Sequence, residues 1–346
     1  MRTLFFLLIF TALLHKPVLS QADYTLSYYP LTNRAELSIV DSNYQAALRS
    51  YDSAFQQVPK AFAKDYFNAL VCAVKIGKHK QAYRYSDSLI AKGVPKSFFL
   101  EHSSLAPLRL AKNWKQYLNR YERTYQRLRA DKDTSLAVFF QQLHDRDQEF
   151  RKKPGSYIAY RDTINKIDSQ NISALRQIIA TRGFPNENMM AVSNPTSVQL
   201  PAYIVFHHYC QGLSRQREGK YNFTADFIAA VKRGELAPHR FASLLGLQGE
   251  RGIELGGMGI SQCTLGETKS PLLAEKYAPA KQARIDKDRL MHGLESLEAY
   301  YKKAVFALKN NRAKDFAFGV YKTLNIYEMA DEEQFEKFVA ASEVLK

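Results

Sequence analysis

The sequence predicts a mainly α-helical protein: a short stack of helical hairpins, then a helical domain with one small β-hairpin. Three observations predict it. Apolar residues recur at three- and four-residue steps through most of the chain, the spacing that places them on one side of a helix. Glycines and prolines fall at the ends of these stretches, where helices stop. One stretch breaks the pattern, crowding Gly246, Gly249, Gly252, Gly256, Gly257 and Gly259 around Ile253, Leu255 and Ile260. It reads as a short irregular hairpin, since it lacks both the Gly-Lys-Ser/Thr ending of a phosphate loop and the strand-then-helix setting of a dinucleotide fingerprint.

At the N-terminus, Met1-Arg2-Thr3 precedes an apolar run from Leu4 to Leu14 and then His15, Lys16 and Pro17. This is the pattern of a secretory signal peptide over residues 1–20, with small residues at Ser20 and Ala22 as cleavage points. The run is shorter than the roughly 20 residues a membrane-spanning helix needs. The expected protein is therefore exported, periplasmic or secreted, with no membrane span after signal cleavage, and an uncleaved anchor is the alternative. Loss of Arg2 and Lys16 takes the net charge from +15 to +13. For an exported chain that basicity favours solubility and acidic envelope partners rather than nucleic acid. Of three cysteines, Cys72 sits among helix-core residues, while Cys210 and Cys263 are close enough in character to be a candidate disulfide. No Cys-x-x-Cys occurs, and no cofactor is expected.

Taking the helices in order, Tyr44, Ala47, Tyr51, Ala54 and Phe55 share one face of a helix that stops at Pro59. A pair follows, Phe62 to Ile76 broken at Gly77, and Lys80 to Ala91 ended by Gly93 and Pro95. Ala47 and Ala82 lie 35 residues apart. With Tyr66, Gly77, Ala82 and Pro95 in place, this stretch resembles tetratricopeptide repeats, whose period is about 34 residues. Ser86 stands where that family carries an aromatic residue. The resemblance implies a short tetratricopeptide-like α-solenoid over residues 23–130, with a concave face for a protein or peptide partner. In the third unit, Ser97 to Leu128, Arg109, Lys112, Arg120, Arg123 and Arg127 fall near one face, read as a solvated outer surface. Trp114 reads as a core anchor.

The helical domain over residues 131–309 begins with Leu136 to Lys153, its apolar side formed by Leu136, Phe139, Phe140 and Leu143. Asp147 and Arg151, four apart, can pair on that helix. A second helix, Tyr157 to Thr181, carries Asp168 and Asn171 and ends before Gly183 and Pro185. The segment from Pro201 to Gly212 brings His207, His208 and Cys210 into an apolar run, with Pro201 in the first helical turn. Adjacent helical residues point about 100° apart, so one histidine should be buried and the other exposed. Helices are expected over Phe223 to Arg233, Pro238 to Leu247 and Leu290 to Leu308. The tail over residues 310–346 should be helical from Phe316, with Asp331 as an N-cap.

Asp147, Gln148 and Arg151; Asp168 and Asn171; Gly183 and Pro185; His208; Met258, Gly259, Ser261 and Gln262; and Arg289, Gly293, Leu294 and Tyr300 occur in an order that resembles an uncharacterised bacterial domain-of-unknown-function family. Its motifs are of the Asp-Gln-x-x-Arg, Gln-His and Tyr-Gly-Thr-Gln type. The resemblance brings no known reaction. From the residue types, a catalytic set would be His208 as general base, Asp147 as its orienter, Arg151 holding an anion and Gln262 donating a hydrogen bond. A zinc set would recruit His208, Cys210, His239 and Cys263, although none of these pairs has metal-site helical spacing. Against both stands a buried polar network of Asp147, Arg151, Asp168, Asn171, His208 and Gln262 that fixes helix packing. The function expected first is an exported protein- or peptide-binding module of the cell envelope. A hydrolase acting on an envelope polymer through His208 and a structural envelope component are the alternatives.

Overall fold

A computed structural model describes residues 22–129, 134–213, 220–250, 252–309, 315–320 and 324–345. The signal-peptide reading of residues 1–20 lies outside them. The fold is mainly α with one small sheet, as the periodicity predicts. Helices α1 (Tyr24–Ser27) and α2 (Tyr29–Val40) open the chain. In α2, Tyr29, Thr32, Ala35, Glu36 and Ile39 carry helical spacing and are all buried. Next come α3 (Tyr44–Gln57), whose start is capped by Asn43 accepting from Ala46 N at 3.1 Å, then α4 (Ala63–Lys75) and α5 (His79–Ala91). The pairs α2/α3 and α4/α5 form successive helical hairpins. Ala47, Ala54, Ala63, Ala69, Ala73 and Ala82 are all fully buried, and such small side chains let helices approach closely. The third unit is α6 (Lys96–Glu101), α7 (Ala106–Arg109) and α8 (Trp114–Arg129), with Trp114 buried in the hairpin core. Arg109 leaves the basic face assigned to it, because it donates to the carbonyl oxygens of His102 and Phe99.

The second half continues with α9 (Thr134–Arg151), α10 (Ser156–Ala159), α11 (Arg161–Arg182), α12 (Pro201–Leu213), α13 (Thr224–Lys232) and α14 (Pro238–Gln248). The helix expected over Leu290 to Leu308 is two helices, α15 (Pro279–Met291) and α16 (Leu297–Lys309). Gly293 separates them at φ +79°, and a Cβ there would come within 2.3 Å of the Tyr29 ring. Both facts require glycine at this position. The hairpin stack is not a free-standing unit at its inner side. Tyr24, Tyr28, Tyr29 and Phe62 belong to the same core as Phe206, Phe227 and Phe241, and Phe316, Ala317 and Phe318 complete the core of the hairpins.

The sheet starts later than the glycine-rich stretch and is larger than a hairpin. Strand β1 (Ile260–Leu265) turns through Gly266 into β2 (Thr268–Lys269) and β3 (Leu272–Glu275). Both are antiparallel to β1, with one residue of slip between them at Ser270 and Pro271. Two strands come from the tail that periodicity reads as all helix. These are β4 (Leu324–Glu328), parallel to β1, and β5 (Ser342–Leu345), antiparallel to β3, joined by α17 (Glu332–Ala340). Asp331 caps α17 as expected, accepting from Gln334 N at 2.8 Å. Ile260, Ala274 and the α15/α16 side chains Ile285, Leu297 and Val305 form the core on one face. Phe338 of α17 meets Tyr327 on the other.

Candidate functional site

Four of the residues singled out from sequence converge where α9, α11 and α12 meet. Asp147 is fully buried and its Oδ2 lies 2.7 Å from His208 Nδ1. Its Oδ1 accepts from Arg151 Nη1 at 3.0 Å, one helical turn away, as the four-residue spacing predicts. Arg151 Nη2 reaches both oxygens of Asp168 at 2.8 Å, and Nε donates to the Tyr157 hydroxyl at 2.9 Å. Gln148 adds a bond to Asp147 Oδ2 at 2.8 Å. Asn171 donates to Leu143 O at 3.1 Å, tying α11 to α9. Burial raises the Asp168 carboxyl above its ordinary value, with Arg151 opposing the shift. Burial works against the Arg151 guanidinium as well, but Asp168 and Asp147 more than offset it. His207 and His208 are both partly buried, rather than one buried and one exposed. Burial, reinforced by His208, lowers the pKa of His207.

Gln262 does not join them. It sits on β1 and donates to Ser270 O across the hairpin at 2.7 Å. Several of the other late motif residues meet one another instead. The Tyr300 hydroxyl donates to Met258 O at 2.8 Å, and Arg289, fully buried over the Tyr300 ring at 5.2 Å, donates to Glu295 O and Leu255 O. Cys72, Cys210 and Cys263 are all free and buried, so Cys210 and Cys263 form no bridge. Among the described residues no group of three or more histidine, cysteine or acidic side chains gathers as a metal site, and the set His208, Cys210, His239 and Cys263 is not assembled.

A second polar centre, absent from the sequence reading, lies between the hairpins and the second half. Glu36 of α2 binds Lys303 of α16 at 2.5 Å and Lys64 of α4 at 2.6 Å. Lys64 also contacts Asp65 at 2.5 Å, Lys303 contacts Glu295 at 3.0 Å, and Asp65 accepts from the Tyr28 hydroxyl at 2.6 Å. Burial opposes the charge on Glu36, yet Lys303 and Lys64 hold its carboxyl down at about 2. Nearby, Glu187 accepts from Lys92 at 2.8 Å and from Ala63 N at 2.7 Å. The only hint in the sequence is a charge in each apolar face, Glu36 among Thr32, Ala35 and Ile39, and Lys303 among Tyr300, Ala304 and Ala307.

Above this network opens a cleft of about 280 Å³. Its apolar wall is Phe62, Val198, Met258 and Phe318, and its polar wall is Lys64, Glu187, Tyr203, His239 and Arg240. Burial, with Arg240 and Lys64 adding to it, pushes His239 down to about 3, so the ring is neutral at ordinary pH. Gly319 lies against that ring, and a Cβ on it would come within 2.7 Å of His239 Nδ1. The His239 ring and the Tyr203 hydroxyl make no hydrogen bond to the described residues. Pre-formed concave sites with a mainly apolar wall and a few placed polar groups are where small ligands and chain segments bind. Comparison with protein-family models, curated proteins and solved structures yields no match.

Proposed function

We propose that the protein is an exported binding module that takes a short peptide segment of a cell-envelope partner in the cleft beside His239. The observation that carries this reading is the cleft itself, lined by Lys64 of the fixed ion network together with Tyr203, His239 and Arg240. Groups held in place before binding cost little to order when a ligand arrives. The resemblance to tetratricopeptide repeats implies a peptide on the inner face of the stack. Here the first helix of each hairpin is already held by the chain itself, through Asn33 to Gly293 O and Asn68 to Ala317. The cleft lies at the start of α4, where Phe62 and Lys64 line it. Among the described residues no helix is long and apolar enough to cross a membrane.

The test is a peptide array probed with the purified protein and with Ser243→Trp, which fills the cleft from α14. Binding lost in the variant supports the reading; equal binding by both proteins removes it. The 2.7 Å contact between His208 and Asp147 supports a hydrolase as a second reading, because a carboxylate on Nδ1 leaves Nε2 to take a proton. It ranks lower because the same carboxylate is already bound by Arg151 and Gln148, as in a packing network.

A further inference from the structure

Resting on the peptide-binding reading, we infer that the cleft recognises a carboxylate at the end of an apolar segment, the free C-terminus of a peptide, with Arg240 as its anchor and His239 and Tyr203 beside it. Three independent features of the wall point the same way. The first is charge. Lys64 is compensated by Glu36 and Asp65, and Glu187 by Lys92. Arg240 has no carboxylate partner among the described residues. Its guanidinium lies over the Tyr203 ring at 5.6 Å and spends one donor on Val198 O at 3.2 Å. The remaining donors of its planar fork suit the two oxygens of a carboxylate.

The second feature is the set of unused donors. The Tyr203 hydroxyl and the His239 ring reach the cleft with no hydrogen bond to the described residues, and a neutral imidazole still offers one N–H. The third is backbone. Ala237, His239 and Arg240 of the cleft wall are the cap and first turn of α14, whose positive dipole end favours an anion. In the same lining, Phe62, Val198, Met258 and Phe318 supply an apolar surface for the residue that bears the carboxylate. At about 280 Å³ the cleft falls just below the usual range for ligand sites, roughly 300–1,000 Å³. It holds a chain end and not a folded surface.

The experiment is calorimetric titration of the purified protein with acetylated tripeptides ending in leucine or phenylalanine, each as the free acid and as the C-terminal amide, and with hexanoate. The free acid is expected to bind at least about tenfold more tightly than the amide. Arg240→Gln should lose that preference at an unchanged melting temperature, and Arg240→Lys should recover part of it. If hexanoate binds as well as the peptide acid and depends equally on Arg240, the carboxylate chemistry holds and its source is a free organic acid. Equal binding of acid and amide, with loss in Ser243→Trp, overturns the carboxylate and leaves the peptide cleft standing. Failure of every probe to bind at millimolar concentration overturns the inference. Should Arg240→Gln melt early, the acid-to-amide ratio of the unsubstituted protein still decides.

Discussion

The two buried ion networks both pair carboxylates with cations, and they do different work. Around Asp147 the carboxylate and the guanidinium are fully engaged, while His208 Nε2 makes no hydrogen bond to the described residues. All three guanidinium nitrogens of Arg151 are engaged, and both oxygens of Asp147 are taken. The pairs join three neighbouring helices that already share a core. Around Glu36 the bonds run between residues 36, 64, 295 and 303, clamping the first helices of the chain to its last long one, and they end at an open wall where polar atoms are unspent. A saturated carboxylate between neighbouring helices fixes packing, whereas a network that borders a cavity also fixes one wall of that cavity.

The largest effect should come from breaking the second network. Removing one member of a buried pair leaves an uncompensated charge, which costs about 3–5 kcal/mol. Glu36→Ala strands part of two ammonium groups at once, so urea unfolding should show a loss near the top of that range. A loss under about 1 kcal/mol would show that the network is solvated and break the comparison. Asp147→Asn should cost less, about 1–3 kcal/mol, because Arg151 keeps Asp168 and the amide can still bond His208. It should leave peptide binding unchanged. If it abolished binding or a hydrolytic activity without a matching loss of stability, the two networks would have to exchange roles.

Periodicity located most of this architecture because helices that bury one stripe advertise it. The ends of α4, α9, α13 and α14 fall within a few residues of their glycine and proline signals. The Asp147–Arg151 pair was legible for the same reason, being a local contact on one helix. His208 stood out as a polar residue in an apolar run and Asp168 through motif order, and the geometry joins each to the Asp147–Arg151 pair. Gln262 came the same way and lies elsewhere. The Glu36–Lys303 pair was not legible, since its partners are 267 residues apart and neither carries a spacing that names the other. Strands β4 and β5 were missed for a related cause. Edge strands are half exposed, and the pattern of β4, with Ile326 and Tyr327 outward, carries no clear alternation.

Acid titration sharpens the contrast further. His239 falls to about 3 in the folded chain from an ordinary 6.5, so between those values the unfolded chain holds a proton that the folded chain lacks. Stability is therefore complete above pH 6.5 and declines as pH falls toward 3. At about 1.4 kcal/mol per pKa unit, screened by the water of the cleft, the decline near pH 5 should be on the order of 1–2 kcal/mol. His239→Gln should flatten it. Glu36 acts lower: its stabilisation is present above 4.5 and is lost as pH falls toward about 2. Two separable steps in an acid-denaturation curve, the upper one missing in His239→Gln, are the expected result. A single step unaffected by that substitution would place His239 in contact with bulk water.

The smallest effect is expected at Gln262, and it tests whether motif order alone marks a site. Its side chain makes one bond, to Ser270 O, across the point where the strand opposite β1 slips by a residue. The local register is also held by paired bonds between Cys263 and Ser270, so the amide supplements a turn that is already fixed. A single neutral hydrogen bond of this kind contributes about 0.5–1.5 kcal/mol. Gln262→Ala should lower stability by that amount, read from the denaturant midpoint, and leave both tripeptide affinity and any activity at His208 unaltered. A binding or catalytic defect larger than this loss would mean that β1 reaches one of the two centres in a second conformation, and the division drawn between them would no longer hold.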